Sequence, residues 1–272
     1  MRLGVISDIH ANLPALEAVL DALARERVDA YVCAGDVVGY GATPNECVER
    51  IVELGALCVA GNHDLIVSGR LSPEGIGRLA RESLAWTGAE LGDAQRAFLA
   101  GLPLAATVGP VVVTHGSLED PRVYVTQARA DEELDRLAET RPDATVLVLG
   151  HTHHPLARGR RSGDLLAARS DVAVLGQGER VLVNPGSVGQ ARERRVLARY
   201  LVLDLERRRA DFRALPYDHR ASRRALRARG LPPRSYHRDP HSWRARAGRA
   251  RRTVKRSLRT VPGRSSRRGG AD

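Results

Sequence analysis

Histidine, aspartate and asparagine recur along this chain in short clusters, and each cluster stands directly after an apolar run. The clusters are Asp8-Ile9-His10 after residues 3–6, Gly35-Asp36 after 31–33, Gly61-Asn62-His63-Asp64 after 57–60, His115 after 111–113, and His151-Thr152-His153 after 146–149. A short apolar run bounded by turn residues reads as a buried strand, and α/β sheets gather their ligands beyond the carboxyl ends of the strands. The repeated plan predicts one site fed by several loops. Residues two apart on an extended segment point the same way, so Asp8 with His10, and His151 with His153, are each expected to present two donors to one cavity. Oxygen and imidazole donors without cysteine suit Mn²⁺, Fe or Zn²⁺ in a working centre better than a thiolate-bound structural zinc. Asp8, His10, Asp36, Asn62, His115, His151 and His153 are too many ligands for one ion with open positions. They suit two ions sharing a bridging carboxylate.

The elements that must position these residues alternate. Residues 12–27 carry Leu13, Leu16, Val19, Leu20 and Leu23 at helical spacing, with Pro14 in the first turn, and 29–33 return as a strand that ends at Asp36. Residues 44–54 and 131–140 read as further helices, 57–60 and 145–149 as strands, and 103–113 as strands. Residues 71–102 are helical, with Trp86 and Phe98 on the apolar side, and are expected to cap the sheet rather than form a substrate lid. After His153, short strands at 165–169, 172–175, 180–183, 199–204 and 210–215 suggest a second sheet. The alternation indicates an α/β protein with parallel strands at its centre.

Taken together, Asp8-x-His10, Gly35-Asp36, Gly61-Asn62-His63-Asp64, Thr114-His115-Gly116 and Gly150-His151-Thr152-His153 resemble the five signatures of the calcineurin-like metallophosphoesterases. Two further stretches, Gly39-Tyr40-Gly41 through Pro44-Asn45-Glu46-Cys47 and Asn184-Pro185-Gly186-Ser187-Val188-Gly189, are similar to the small bacterial phosphodiesterase branch. The likeness runs from residue 1 to about 233 and implies a four-layer αββα sandwich of two mixed sheets with outer helices. It implies that one divalent ion takes Asp8, His10 and His153, the other Asn62, His115 and His151, with Asp36 between them. Mn²⁺ is the first expectation, with Fe, Zn²⁺, Ni²⁺ and Co²⁺ as alternatives. His63 is implied as the group that stabilises the transition state or protonates the leaving oxygen. The implied reaction is in-line attack by a metal-bridging hydroxide on a small phosphodiester or nucleotide. Where many phosphoprotein phosphatases of this family carry an aspartate that orients the catalytic histidine, this chain has Gly39. That departure argues against a serine/threonine phosphatase, and Asp64 becomes the candidate partner of His63.

Charge divides the 272-residue chain. Residues 217–272 hold 18 Lys+Arg against 3 Asp+Glu, leaving 25 against 29 in residues 1–216, so a body of −4 precedes a tail of +15. The expected organisation is a catalytic domain at 1–233 and a basic, disordered C-terminal tail at 234–272. The tail either attracts nucleic acid or an acidic surface or serves only solubility. Cys33, Cys47 and Cys58 lack C-x-x-C spacing and read as reduced thiols. Residues 2–7 lead straight into a ligand cluster, which argues against a signal peptide, and no apolar run suits a membrane helix; a cytoplasmic protein is expected. Two rivals to the phosphodiesterase remain: a nuclease or RNA-processing enzyme using the basic tail, and a non-catalytic interaction protein on the same fold. Arg192, Arg194 and Arg195 either attract phosphate or are simply solvated.

Overall fold

The computed structural model describes residues 1–166 and 171–240. In chain order the elements are β1 (Arg2–Ile6), α1 (Leu13–Glu26), β2 (Ala30–Cys33), α2 (Pro44–Glu53), β3 (Leu57–Cys58), α3 (Asn62–Val67), α4 (Arg78–Glu90), α5 (Asp93–Gly101), β4 (Ala105–Val108), β5 (Val111–Thr114), α6 (Ala130–Thr140), β6 (Val146–Val148), β7 (Leu156–Gly159), β8 (Gly163–Asp164), β9 (Val172–Val174), β10 (Val181–Asn184), β11 (Ala198–Asp204), β12 (Arg209–Leu215) and α7 (His219–Ala228).

The described strands form two mixed sheets, ordered β3-β2-β1-β11-β12-β9 and β4-β5-β6-β10-β7-β8. Three apolar clusters show how the layers stack. Leu3, Val5, Val32 and Leu201 from the first sheet meet Val111, Val113, Val146 and Val183 from the second in a dry central layer. Ile6 and Cys33 from the opposite face of the first sheet pack with Leu16, Val19 and Leu23 of α1 and Cys47, Val48 and Ile51 of α2. Val112, Leu147 and Leu182 on the outer face of the second sheet pack with Leu134 and Leu137 of α6. Because both faces of each central strand are covered, the strands read as continuous apolar runs rather than alternating ones. The result is the expected αββα sandwich.

Strands β1, β2 and β3 run parallel, as do β5, β6 and β10, so their carboxyl ends open on one edge of the sandwich. Strand β1 is flanked on its other side by antiparallel β11, with Leu3 opposite Leu203 and Val5 opposite Leu201. Here the structure departs from the sequence expectation, since β9, β11 and β12 complete the first sheet rather than build a second one. Hairpin β7–β8 joins the second sheet instead. The strand expected at 165–169 does not form at 165 and 166, and 167–170 lie outside the described residues. No described helix is long and apolar enough to cross a membrane, and the three cysteines are buried and unbridged.

The described chain continues past Pro233 in contact with the body. Tyr236 is buried with Ala42 and Leu226, and Ser235 donates to the Tyr40 carbonyl at 2.7 Å. The remainder of the expected basic tail, from residue 241 on, lies outside the described residues.

Candidate metal centre

The loops that leave β1, β2, β3, β5 and β6 bring their polar clusters together, but not by the extended spacing that the sequence suggests. Asp8, His10, Asp36, His151 and His153 have φ of 54°, 51°, 54°, 65° and 62°, in the left-handed region that costs a residue with a β-carbon about 1–3 kcal/mol. Side chains converge because the backbone turns at each of them. Neighbouring loops hold those turns: the Asp8 amide donates to the Gly35 carbonyl at 2.9 Å and the His10 amide to the Asp36 carbonyl at 3.0 Å. The His151 amide donates to Asp8 Oδ2 at 3.1 Å. Gly61 allows the third loop to approach, since a β-carbon there would lie 2.1 Å from Asp36 Oδ1.

Three trios of donors result, Asp8 with His10 and His153, Asp36 with His115 and His151, and His10 with Asp36 and His63, each with its ligand atoms within 4.8 Å of one another. In the first, His10 Nε2 lies 3.1 Å from His153 Nε2, and Asp8 Oδ1 lies 3.2 Å from His153 Nε2. In the second, His115 Nε2 is 3.3 Å from Asp36 Oδ2 and 3.2 Å from Asn62 Oδ1. Asp36 also reaches the first trio, with Oδ2 3.8 Å from His10 Nε2. Its Oδ1 accepts the His63 amide at 2.8 Å, which fixes the carboxylate plane.

The tautomers follow from the outer partners. His10 Nδ1 donates to the Val38 carbonyl at 3.2 Å, His115 Nδ1 to the Ala34 carbonyl at 2.7 Å, and His153 Nδ1 to the Gln190 carbonyl at 2.8 Å. A carbonyl only accepts, so these nitrogens carry the proton and each Nε2 faces inward. His151 is reversed: its Nε2 donates to the Arg122 carbonyl at 2.9 Å, leaving Nδ1 for the site. Backbone carbonyls that fix ring orientation are the outer layer expected of metal-binding histidines.

A divalent ion fits this cage. Burial lowers the pKa of His10 and His153, so both rings are neutral and two bare Nε2 lone pairs face each other, an arrangement that a cation relieves. Burial also lowers His151, to about 3. Asp8 Oδ1 is buried without a hydrogen bond, although it lies close to His153. An ion about 2.0–2.2 Å from each donor spaces them about 3–3.5 Å apart, close to the separations seen. His115 behaves differently: burial would lower its pKa, but the Asp36 carboxylate raises it to about 10. Metal-free, it is a cation paired with Asp36.

His63 and Asp64 sit at the start of α3. The His63 ring lies 4.9 Å from the His10 ring and 4.7 Å from the Tyr40 ring. Its Nδ1 is buried with no partner among the described residues and faces Gly39, where a β-carbon would come within 2.2 Å of it. The structure does not bring the Asp64 carboxylate to that ring. Its oxygens accept the amides of Val37, Val38 and Gly61 at 3.3, 3.2 and 2.9 Å, tying the Asp36 loop to the His63 loop. Burial, with the Asp36 charge, raises the Asp64 pKa to about 7.

Above the donors opens a cleft of about 610 Å³ floored by Asp36, Asn62, His63, His151 and His153. Residues 74–80 form one wall, so the 71–102 segment is more than the sheet cap expected of it. Arg122 and Tyr124 line another wall, with Tyr124 stacked on His151 at 4.1 Å. No ligand-like pattern in the sequence marks them; the available signal is an aromatic and an arginine in the loop that follows His115. Of the three candidate arginines, Arg192 lines the cleft while Arg194 and Arg195 do not. Residues 184–189 do not present amides to the cleft; they hold the site from behind. The Val188 and Gly189 amides bind the Ser7 and Asp8 carbonyls at 3.0 Å each, and Asn184 Nδ2 donates to the Gly150 carbonyl.

Comparison with known proteins agrees with this architecture. The chain is 32% identical over 222 residues to an uncharacterised protein of Methanocaldococcus jannaschii, across 79% of this chain and 88% of that protein. It is 31% identical over 170 residues to phosphodiesterase YfcE of Escherichia coli, across 59% of this chain and 73% of that protein. The crystal structure of a metallophosphoesterase from Sphaerobacter thermophilus matches with a TM-score of 0.72 at 35% identity, covering 87% of this chain and 97% of that one. Residues 1–208 match the calcineurin-like phosphoesterase superfamily domain. The chain therefore belongs to that superfamily of metal-dependent hydrolases.

Proposed function

We propose that this protein is a phosphodiesterase with a dinuclear metal centre, acting on a small phosphodiester or nucleotide. The observation that carries the reading is the shared carboxylate: Asp36 Oδ2 stands 3.3 Å from His115 Nε2 and 3.8 Å from His10 Nε2, within reach of a histidine from each proposed ion site. Asp8, His10 and His153 would hold one ion, and Asn62, His115 and His151 the other. Mn²⁺ is the first ion to test, followed by Fe, Zn²⁺, Ni²⁺ and Co²⁺. Such ions, when bound, neutralise phosphoryl oxygens and acidify water. The chain's own contribution is shape and proton supply. The Asn62 amide oxygen is a ligand that adds no negative charge beside an anionic substrate, and His63 on the cleft floor is the group to protonate the leaving oxygen. Asp64 acts by fixing the loops that carry Asp36 and His63. The cleft volume suits a nucleotide-sized molecule.

The test is hydrolysis of an aryl phosphodiester beside the matching monoester, by chelator-stripped protein with and without Mn²⁺. Metal-dependent cleavage that favours the diester is expected. Absence of cleavage with Mn²⁺, Ni²⁺, Co²⁺ and Zn²⁺, or a preference for the monoester, would overturn the reading. Composition favours a second substrate class: residues 241–272 carry 11 Lys+Arg against 1 Asp+Glu, which suits a nucleic-acid polymer. A nuclease would cleave an oligonucleotide with a steep salt dependence that the aryl diester lacks.

A further inference from the structure

Residues 234–240 cross the body beside the cleft and are tied to it at several points. The Ser235 hydroxyl donates to the Tyr40 carbonyl at 2.7 Å, and Gln190 Nε2 donates to the Ser235 carbonyl at 2.8 Å. His237 Nε2 donates to the Glu193 carbonyl at 2.7 Å, and the Arg238 amide donates to the Ala191 carbonyl at 2.9 Å. Gln190 is the same residue whose carbonyl orients His153. This strap delivers the Arg238 side chain into the wall of the cleft, together with Arg192.

Four arginines line the cleft, and their partners separate them. Arg122 is paired with Asp120 at 2.9 Å and Arg78 with Glu82 at 2.6 Å. Among the described residues Arg192 and Arg238 form no ion pair, and Arg192 reaches only the neutral Gln190 Oε1 at 3.4 Å and Tyr124 hydroxyl at 3.5 Å. Glu74, also in the wall, pairs with neither. Both guanidinium charges bear on the Tyr40 hydroxyl, although burial dominates there and raises its pKa. The Tyr40 ring in turn lies 4.8 Å from the His10 ring, and both arginines line the same cleft as His153 of the first donor trio. Asp8 and Asp36 would serve as counter-charges to metal ions held by the two donor sets, and neither pairs with these two arginines. A guanidinium pair that lines a cleft and is paired with none of its carboxylates selects a ligand with anionic oxygens to spare.

We propose that Arg192 and the strap residue Arg238 form an anion subsite beside the metal centre that takes a second phosphate bonded directly to the reacting phosphoryl group. The preferred substrate class is then a nucleotide with a phosphoanhydride-linked phosphate rather than an isolated phosphodiester. This rests on the phosphodiesterase reading, and names the substrate that the same site prefers.

The experiment compares two non-hydrolysable inhibitors of aryl-diester cleavage by the full-length Mn²⁺-loaded protein, methylphosphonate and methylenediphosphonate, which differ in the second anionic group. Wild type is expected to bind the diphosphonate more tightly. Arg238→Ala and Arg192→Ala should each shrink that preference about tenfold, while Arg207→Ala, in the distant turn between β11 and β12, leaves it in place and controls for net charge. Arg238→Lys, which keeps the charge and loses the fork, should restore part of it and excludes misfolding as the cause. No preference in wild type, or a preference untouched by Arg238→Ala, would overturn the subsite. Should the wild type fail to cleave the diester, calorimetric binding of the same two phosphonates to the same proteins decides the subsite separately from the reaction.

Discussion

The His63 ring is held by shape: its buried Nδ1 meets Gly39 at a position where other residues would clash, and among the described residues no group hydrogen-bonds to it. Gly39 has φ of 91°, so Gly39→Ala adds both backbone strain of about 1–3 kcal/mol and a methyl pressed on the imidazole. A displaced ring should lower kcat by about a hundredfold with metal content unchanged, as read by steady-state rates beside elemental analysis. His63→Ala is expected to keep its metal and lose a factor of about 10²–10⁴ in turnover, whereas Asp36→Asn loses metal as well. Equal metal loss in the two variants would contradict the separate roles. The donors themselves were legible in the sequence because residue type and a preceding apolar run are local information. Their left-handed backbone was not, since carbonyls of a loop nearly thirty residues away impose it. The part played by Asp64 was hidden for the same reason: its partners, Val37 and Val38, belong to another loop.

At the scale of elements, the turn that leaves β10 is a brace. Asn184 donates to the Gly150 carbonyl and to Thr152 Oγ1 and accepts the Gly186 amide, while Ser187 donates to the Asp8 carbonyl at 2.8 Å. Asn184→Ala leaves those buried groups unpaired and should cost about 1–3 kcal/mol. It frees the loop of His151 and His153, so metal affinity should also fall about 10- to 100-fold, measurable by competition with a chromogenic chelator. An unchanged affinity would show that the brace supports the fold but not the centre. The helices over 13–26 and 44–53 and the parallel strands were readable from periodicity and apolar runs. The β7–β8 hairpin was not, because Leu156-Ala-Arg-Gly shows no strand pattern and β8 is two residues long. Nor does any local signal tell β11 to pair with β1 rather than with the strands before it.

For the whole molecule, the metal cage is also a stability element. Asp8 and Asp36 are 0% and 1% exposed, and without cations their charges lean on neighbouring histidines, His153 first for Asp8 and His115 first for Asp36. Removing metal with a chelator should lower the melting temperature, and restoring it at a thousandfold excess over Kd should return about 4 kcal/mol. In the chelated protein the His115 pKa is raised from the unfolded 6.5 to about 10. Its contribution is thus complete below pH 6.5 and is lost as pH rises towards 10. Melting of the stripped protein over that window should show the decline, and a flat profile would mean that His115 is not the cation paired with Asp36.

The brace also sets an order of events in the life of the chain. Ser187 closes on Asp8 across 179 positions, and Ser235 closes on Tyr40 across 195. Contacts of such span form late in folding. A nascent chain that has displayed every metal donor by His153 still lacks the bonds from Ser187 and Gly189 to the Asp8 carbonyl, and the Gln190 carbonyl that orients His153. Firm metal capture is therefore expected only once the brace has formed, and a chain cut short before it should carry all the donors yet bind metal more weakly.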